Sequence, residues 1–164
     1  AMIAVDTSTT AVVQGARVGA FQFDPTVTFD NNIVGNTDPS GNNDIADQVA
    51  LEMAKYLAVI NVEIRQTGTA SDDDDKPNAY VLIELHRSGL PVVVAVRGDA
   101  TLAGVCTRDG VSPVPDEIVV TMCYPLVDAL KPSGVGNPVP DWLSSVGFSL
   151  STMHFKATSR ALLE

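Results

Sequence analysis

The sequence predicts an α+β domain in which an N-terminal helix lies on a mostly antiparallel β-sheet, with a second, shorter helix and long loops. Three observations lead there. Residues 5–22 run for 18 positions without proline and carry small side chains at helical spacing. Residues 45–57 place apolar side chains along one stripe, and beyond residue 60 the apolar positions recur with period two between short turns. Helical patterns precede strand patterns instead of alternating with them, which favours an antiparallel sheet over βαβ units. A chain of 164 residues is one domain with room for a substantial core.

The first helix reads VDTSTTAVVQGARVGAFQ. Ala11, Gly15 and Gly19 fall four apart on one ridge, and Ala16 and Ala20 form a second ridge beside it. A ridge without bulk lets a sheet or another backbone approach closely, and that contact has to outweigh the roughly 1 kcal/mol of helix propensity each glycine forfeits. These five residues are the expected packing interface, against the sheet or against a neighbouring subunit. The helix pattern starts abruptly, as though something before it had been cut away, and Ala1-Met2 and Leu163-Glu164 read as cloning remnants. The expected organisation is residues 1–22 as the end of a longer helix and residues 23–164 as the globular α+β part.

Pro25 stops the helix and holds Asp24 extended. Residues 26–44 form a polar connection dense in Asn, Asp, Gly and Pro turn chemistry. Asp44 is placed to cap a helix over residues 45–57, with Ile45, Val49, Met53 and Tyr56 on its apolar stripe. Ile60, Val62 and Ile64 alternate with Asn61, Glu63 and Arg65 and predict a strand, followed by a loop over residues 66–78. Val81, Ile83 and Leu85 point inward on the next strand, with Glu84 and His86 outward. Ser88-Gly89 then turns the chain into PVVVAVR, whose continuous apolar run suggests a central strand. Residues 98–116 read as loop and EIVVTMCY as strand, ended by Pro125. A second Pro- and Gly-rich passage covers residues 131–141, beside Trp142 as a core plug. The last strand spans residues 148–159, where an apolar phase change predicts a break near Ser151-Thr152.

Composition excludes several functions. The net charge is −10, with ten Lys and Arg against twenty Asp and Glu, so nucleic acid and anionic lipid surfaces are unsuitable direct partners. No run of about 18 apolar residues is present, and no signal peptide. The two cysteines, Cys106 and Cys123, are expected to pair in an oxidising compartment; two buried free thiols are the alternative. His86 and His154 lack partners at ligand spacing and read as structural. No nucleophile elbow, zinc-protease motif or P-loop is present, so no catalytic residues and no cofactor are assigned. Asn36, Asp38, Ser40, Gly41, Asn42 and Asp47 imitate a calcium loop with Asp38, Ser40, Asn42 and Asp47 as its ligands. Asn at its first position and Asp at its last depart from that pattern, and an Asx-rich loop leading into a helix cap explains the same residues. Residues 72–76, DDDDK, form a solvated loop that matches an enterokinase cleavage sequence.

The segment VVQGARVGAF resembles the helix that follows the membrane anchor in TadE-like proteins, the minor pilins or pseudopilins of tight-adherence (Tad) pili. IVVTMCYPLVDALKP and the closing FSLSTMHFKATSRALLE are similar to that group's C-terminal strands. Gly15, Ala16, Arg17 and Tyr124-Pro125 carry the likeness, which is confined to the two ends of the chain. It implies a pilin-like, membrane-anchored protein whose N-terminal hydrophobic helix is missing here, with its domain in the periplasm or in a surface pilus. The implied partners are other pilins, the assembly machinery and, through the missing helix, the inner membrane. The implied work is assembly or initiation of the pilus, without catalysis. The competing expectation is a secreted adhesive or ligand-binding domain, marked by an apolar or concave patch away from the helix. A hydrolase would instead show a cleft around a strongly shifted titratable group. A virion or other structural subunit would share the pilin's features.

Overall fold

The structure, a computed structural model, describes residues 2–33, 44–65, 76–110, 112–126, 150 and 152–163. Two helices, α1 (Met2–Phe21) and α2 (Ile45–Leu57), precede four strands: β1 (Tyr80–His86), β2 (Val93–Gly98), β3 (Glu117–Pro125) and β4 (His154–Leu162). The strands form one sheet in the order β2-β1-β3-β4, antiparallel at every pairing. The α+β architecture read from the sequence is the one observed.

Both helices cover the same face of the sheet. α1 packs on β3, β4 and α2, while α2 packs on α1 and reaches β2. The period-two pattern supplies the facing surface: Val81, Ile83 and Leu85 from β1 and Ile118, Val120, Met122 and Tyr124 from β3 are all buried. Val49, Met53 and Leu57 of α2 and Ala11, Val12 and Ala16 of α1 close over them. Asp44 begins α2 as expected, its carboxylate accepting the Asp47 amide at 2.8 Å.

Three expectations need correction. Residues 60–65 do not form a strand. Ala58–Ile60 is a 3-10 turn, Asn61 ends it in the left-handed region at φ 60°, and Glu63 makes a single parallel bridge to Asn78. Ile60 and Val62 are buried, so the alternation was real, but one buried side does not make a strand without a ladder partner. PVVVAVR is not central either. β2 pairs only with β1 among the described residues, and Val94 is half exposed, whereas β3 is buried along almost its whole length. The last strand starts at His154, later than expected. Leu150 and Met153 close a turn just before it, near the expected break, and the strand continues to Leu162. Trp142 and the DDDD run lie outside the described residues.

Candidate functional site

The residues singled out on α1 face inward. Ala11, Gly15, Ala16, Gly19 and Ala20 are all buried. A Cβ on Gly15 would sit 2.8 Å from Met53 Cγ and 3.3 Å from Val49 Cγ1. A Cβ on Gly19 would overlap Ile118 Cδ1 and lie 3.0 Å from Val49 Cγ2. The seam therefore seats α1 against α2 and the sheet of its own domain. Ile3, Val5 and Phe21 are left on the outside, 72%, 48% and 80% exposed, with Arg17 also exposed.

Ser8 was missed in the sequence, yet Ser8, Val12, Ala16 and Ala20 recur every four residues. Its hydroxyl is fully buried and shares a 2.8 Å hydrogen bond with the Tyr124 hydroxyl. Tyr124 also stacks on Phe155, with ring centroids 5.3 Å apart. Burial pushes the Tyr124 phenol above its ordinary value, and the bond from Ser8 partly offsets this.

The opposite face of the sheet carries a strap. Gly98, at φ +81°, turns the chain beside the Ala79 carbonyl, where a side chain would collide with the backbone. A 3-10 turn over Ala100–Gly104 leads to Cys106, which is disulfide-bonded to Cys123 of β3. The expected pairing is thus present. Both cysteines are buried beside Tyr80, with Leu82, Val96 and Leu102 packed around them. Burial, then the nearby Glu84 carboxylate, pushes the Tyr80 phenol up.

Beyond Cys106 the strap is held by polar contacts. Arg108 Nη1 donates to Glu84 Oε1 at 3.0 Å, and Lys156 Nζ reaches Asp109 Oδ1 at 2.6 Å. The Asp109 amide donates to Thr158 Oγ1, and the Val114 amide donates to Glu117 Oε1. Arg160 Nη1 bridges Glu117 Oε1 and the Ser112 carbonyl, both at 3.3 Å. His86 sits within this cluster with its Nε2 3.7 Å from Glu84 Oε1 and a side chain 12% exposed. Burial holds its imidazole below the ordinary histidine range, against the pull of Glu84. His86 Nε2 and Glu84 Oε2 are buried without a hydrogen-bond partner among the described residues. Read alone as a structural histidine, His86 gave no sign of this cluster, because its partners come from three other segments. His154 heads β4 and is exposed.

At the start of α2, Arg97 Nε donates to Asp47 Oδ1 at 2.7 Å and its Nη2 to Asp44 Oδ1 at 3.2 Å. Asp47, a calcium candidate in the sequence, is therefore engaged by an arginine; its companions Asp38, Ser40 and Asn42 lie outside the described residues. Among the described residues no group of three or more His, Cys, Asp or Glu side chains could hold a metal ion. A cavity of about 250 Å³ beside α2 is lined in part by Leu51, Ala54, Ile64, Arg65 and Arg97. A second, of about 470 Å³, lies against Phe23, Arg87, Asp116 and Leu163. The arginines in both have acidic partners: Arg97 as above, Arg65 with Glu63, and Arg87 with Asp116 while lying 5.6 Å over the Phe23 ring. No described helix is long and apolar enough to cross a membrane. No protein-family model, curated protein or solved structure matches this chain.

Proposed function

We propose that this chain is a non-enzymatic minor pilin or pseudopilin of the Tad type that acts in assembly or initiation of a surface pilus. The observation that carries the reading is α1, a 20-residue helix seated by a glycine and alanine seam on an antiparallel sheet. That seam fixes the direction in which α1 points, while Ile3 and Val5 in its first turns stay exposed for contact with like helices. In this reading a hydrophobic segment upstream of residue 1 anchors the protein in the inner membrane, with the domain in the periplasm or in the pilus. Its partners are other pilins and the assembly machinery.

Deleting the full-length gene is expected to abolish or alter surface pili while unrelated secretion continues. Complementation with the wild-type gene should restore them, and complementation with a gene lacking the upstream hydrophobic codons should not. Normal pili in the deletion strain, or upstream codons without a hydrophobic span, overturn the proposal.

A further inference from the structure

The sheet has two edges, and they differ in what they offer a second copy of the chain. Among the described residues β2 pairs only with β1, and β4 only with β3. The Asp99 amide donates to the Ala79 carbonyl, which sets the phase of the β1–β2 ladder. Val93, Ala95 and Arg97 therefore bond β1, while Val94 and Val96 turn both amide and carbonyl to the free edge. Arg97 Nη1 covers the Val96 carbonyl at 3.0 Å, so the open part of this edge is centred on Val94. Val94 is half exposed, as is Val92 just before the strand.

Residues 88–96, SGLPVVVAV, carry no charge. A strand edge with open backbone groups and apolar side chains is a template for another strand, and folded proteins blunt such edges with charge, proline or a bulge. Pro91 does not blunt this one, because in this phase residue 91 faces β1. β4 is the contrast. The Leu163 amide on the Asp116 carbonyl sets its phase, which turns the even-numbered residues outward. Pairing β4 with itself about Thr158 would put Lys156 opposite the second copy's Arg160 twice over, and like charges directly opposite destabilise a strand pair. Pairing β2 with itself about Val94 sets valine against valine: Val94 on Val94, and Val92 on Val96. For a protein of net charge −10, this uncharged stretch lets a copy approach without like charges meeting.

We propose that two copies of this chain join edge to edge through β2, antiparallel and centred on Val94, so that two four-stranded sheets become one continuous sheet. Across the two-fold axis each Val94 amide donates to the other Val94 carbonyl. α1 takes no part, since it lies over β3 and β4, and the inference does not rest on the pilin reading. α1 runs opposite to β3, with Ser8 beside Tyr124 and Gly19 beside Ile118, so the axis sets the two α1 helices antiparallel. In pilin terms, subunits so joined come from separate filaments or membranes and are not neighbours in one. Contact along one short strand edge stays below the roughly 1,200 Å² of a stable interface, so the pair is weak and reversible.

Sedimentation of the intact, oxidised chain from about 1 µM to about 1 mM should show monomer passing into dimer. Val94 tests the register, because it faces itself. Val94→Lys and Val94→Glu each set like charges across the axis and should weaken the dimer about tenfold or more. An equimolar mixture of the two variants should associate more tightly than either alone. Amide hydrogen exchange of the wild type gives a readout that needs no variant. The Val94 amide should exchange freely in dilute protein and gain protection as concentration rises, while Ala95, bonded to β1, stays protected throughout. A wild type that is monomeric at about 1 mM overturns the proposal, as does a dimer that Val94→Lys leaves intact. So does a mixture no tighter than its components, or a Val94 amide already protected at about 1 µM. If a variant fails to fold, the concentration dependence of Val94 exchange in the wild type decides alone. Neither result bears on the gene-deletion test of the pilin reading.

Discussion

Gly19→Ala decides how tight the α1 seam is, because two effects of known sign oppose each other. Alanine in a helix interior is worth about 1 kcal/mol over glycine, so at an open position the change stabilises. At position 19 the new Cβ meets Ile118 Cδ1 within van der Waals contact and Val49 Cγ2 at 3.0 Å, and both residues are fully buried. Overpacking of this kind costs roughly 1–3 kcal/mol. The expected net is a destabilisation of up to about 2 kcal/mol, a fall in Tm of up to roughly 8 °C for a chain of this size. Gly15→Ala is the comparator. Its Cβ meets the Cγ and Sδ of Met53 at 2.8 and 2.9 Å, and a flexible thioether can move aside, so that change should lie within about 1 kcal/mol of neutral. Urea denaturation gives both values. Ile118→Val removes the offending methyl group at a cost of about 0.5–1.5 kcal/mol alone. Combined with Gly19→Ala it should recover about 1 kcal/mol of coupling, since the new methyl occupies the space vacated. A Gly19→Ala protein that is more stable than wild type, with no coupling to Ile118→Val, refutes the close approach.

Replacing Cys106 and Cys123 together by alanine should cost about 3 kcal/mol, the chain-entropy value for a separation of 17 residues. Urea denaturation measures this, and in the wild type neither sulfur should alkylate before reduction. Asp44→Ala removes both the α2 cap and one partner of Arg97 and should cost about 1–2 kcal/mol by thermal denaturation. Asp44→Asn keeps the cap and should retain most of that. Because the Tyr124 phenol is raised above its ordinary 10.0, its contribution to stability is intact below pH 10 and lost as pH rises through the shifted value. Spectrophotometric titration should show the Tyr124 phenolate forming only above pH 10, as should that of Tyr80, which burial also raises.

Where a single element's own residues decide its structure, the sequence was informative. The glycine and alanine spacing marked α1, Asp44 marked the start of α2, and the alternation in residues 81–86 and the strand-like run 117–124 ended by Pro125 marked the two inner strands. What failed depended on partners distant in the chain. Residues 60–65 show the alternation of a strand because one side is buried, but a ladder needs a neighbour, and among the described residues only Asn78 supplies one bridge. The valine run of β2 suggested a central position; the sheet order leaves its Val94 half exposed. The strap was read as featureless loop because its anchors are spread over β1, β3 and β4, which the chain brings together only on folding. Ser8 was hidden for a different reason: a serine in a helix of threonines and alanines carries no sign that Tyr124, 116 residues away, will bury it.

The same geometry shows why β3 governs the mechanics of the domain. Cys123 and Tyr124 are consecutive and therefore point to opposite faces of the sheet. One is joined covalently to the strap, and the other is hydrogen-bonded to Ser8 near the start of α1. Ile118, six residues before Tyr124, meets Gly19 near the end of α1, so helix and strand are fixed to each other at both ends. A load applied at the first turn of α1 thus enters the central strand directly, through a seam too close for the helix to roll and a buried hydrogen bond that is costly to break. For a subunit held by its N-terminal helix, this separates folding from assembly. The inward residues Ser8, Gly15 and Gly19 set stability, while Ile3, Val5, Arg17 and Phe21 lie exposed on α1 and, in the pilin reading proposed above, are the ones left for contact with other subunits.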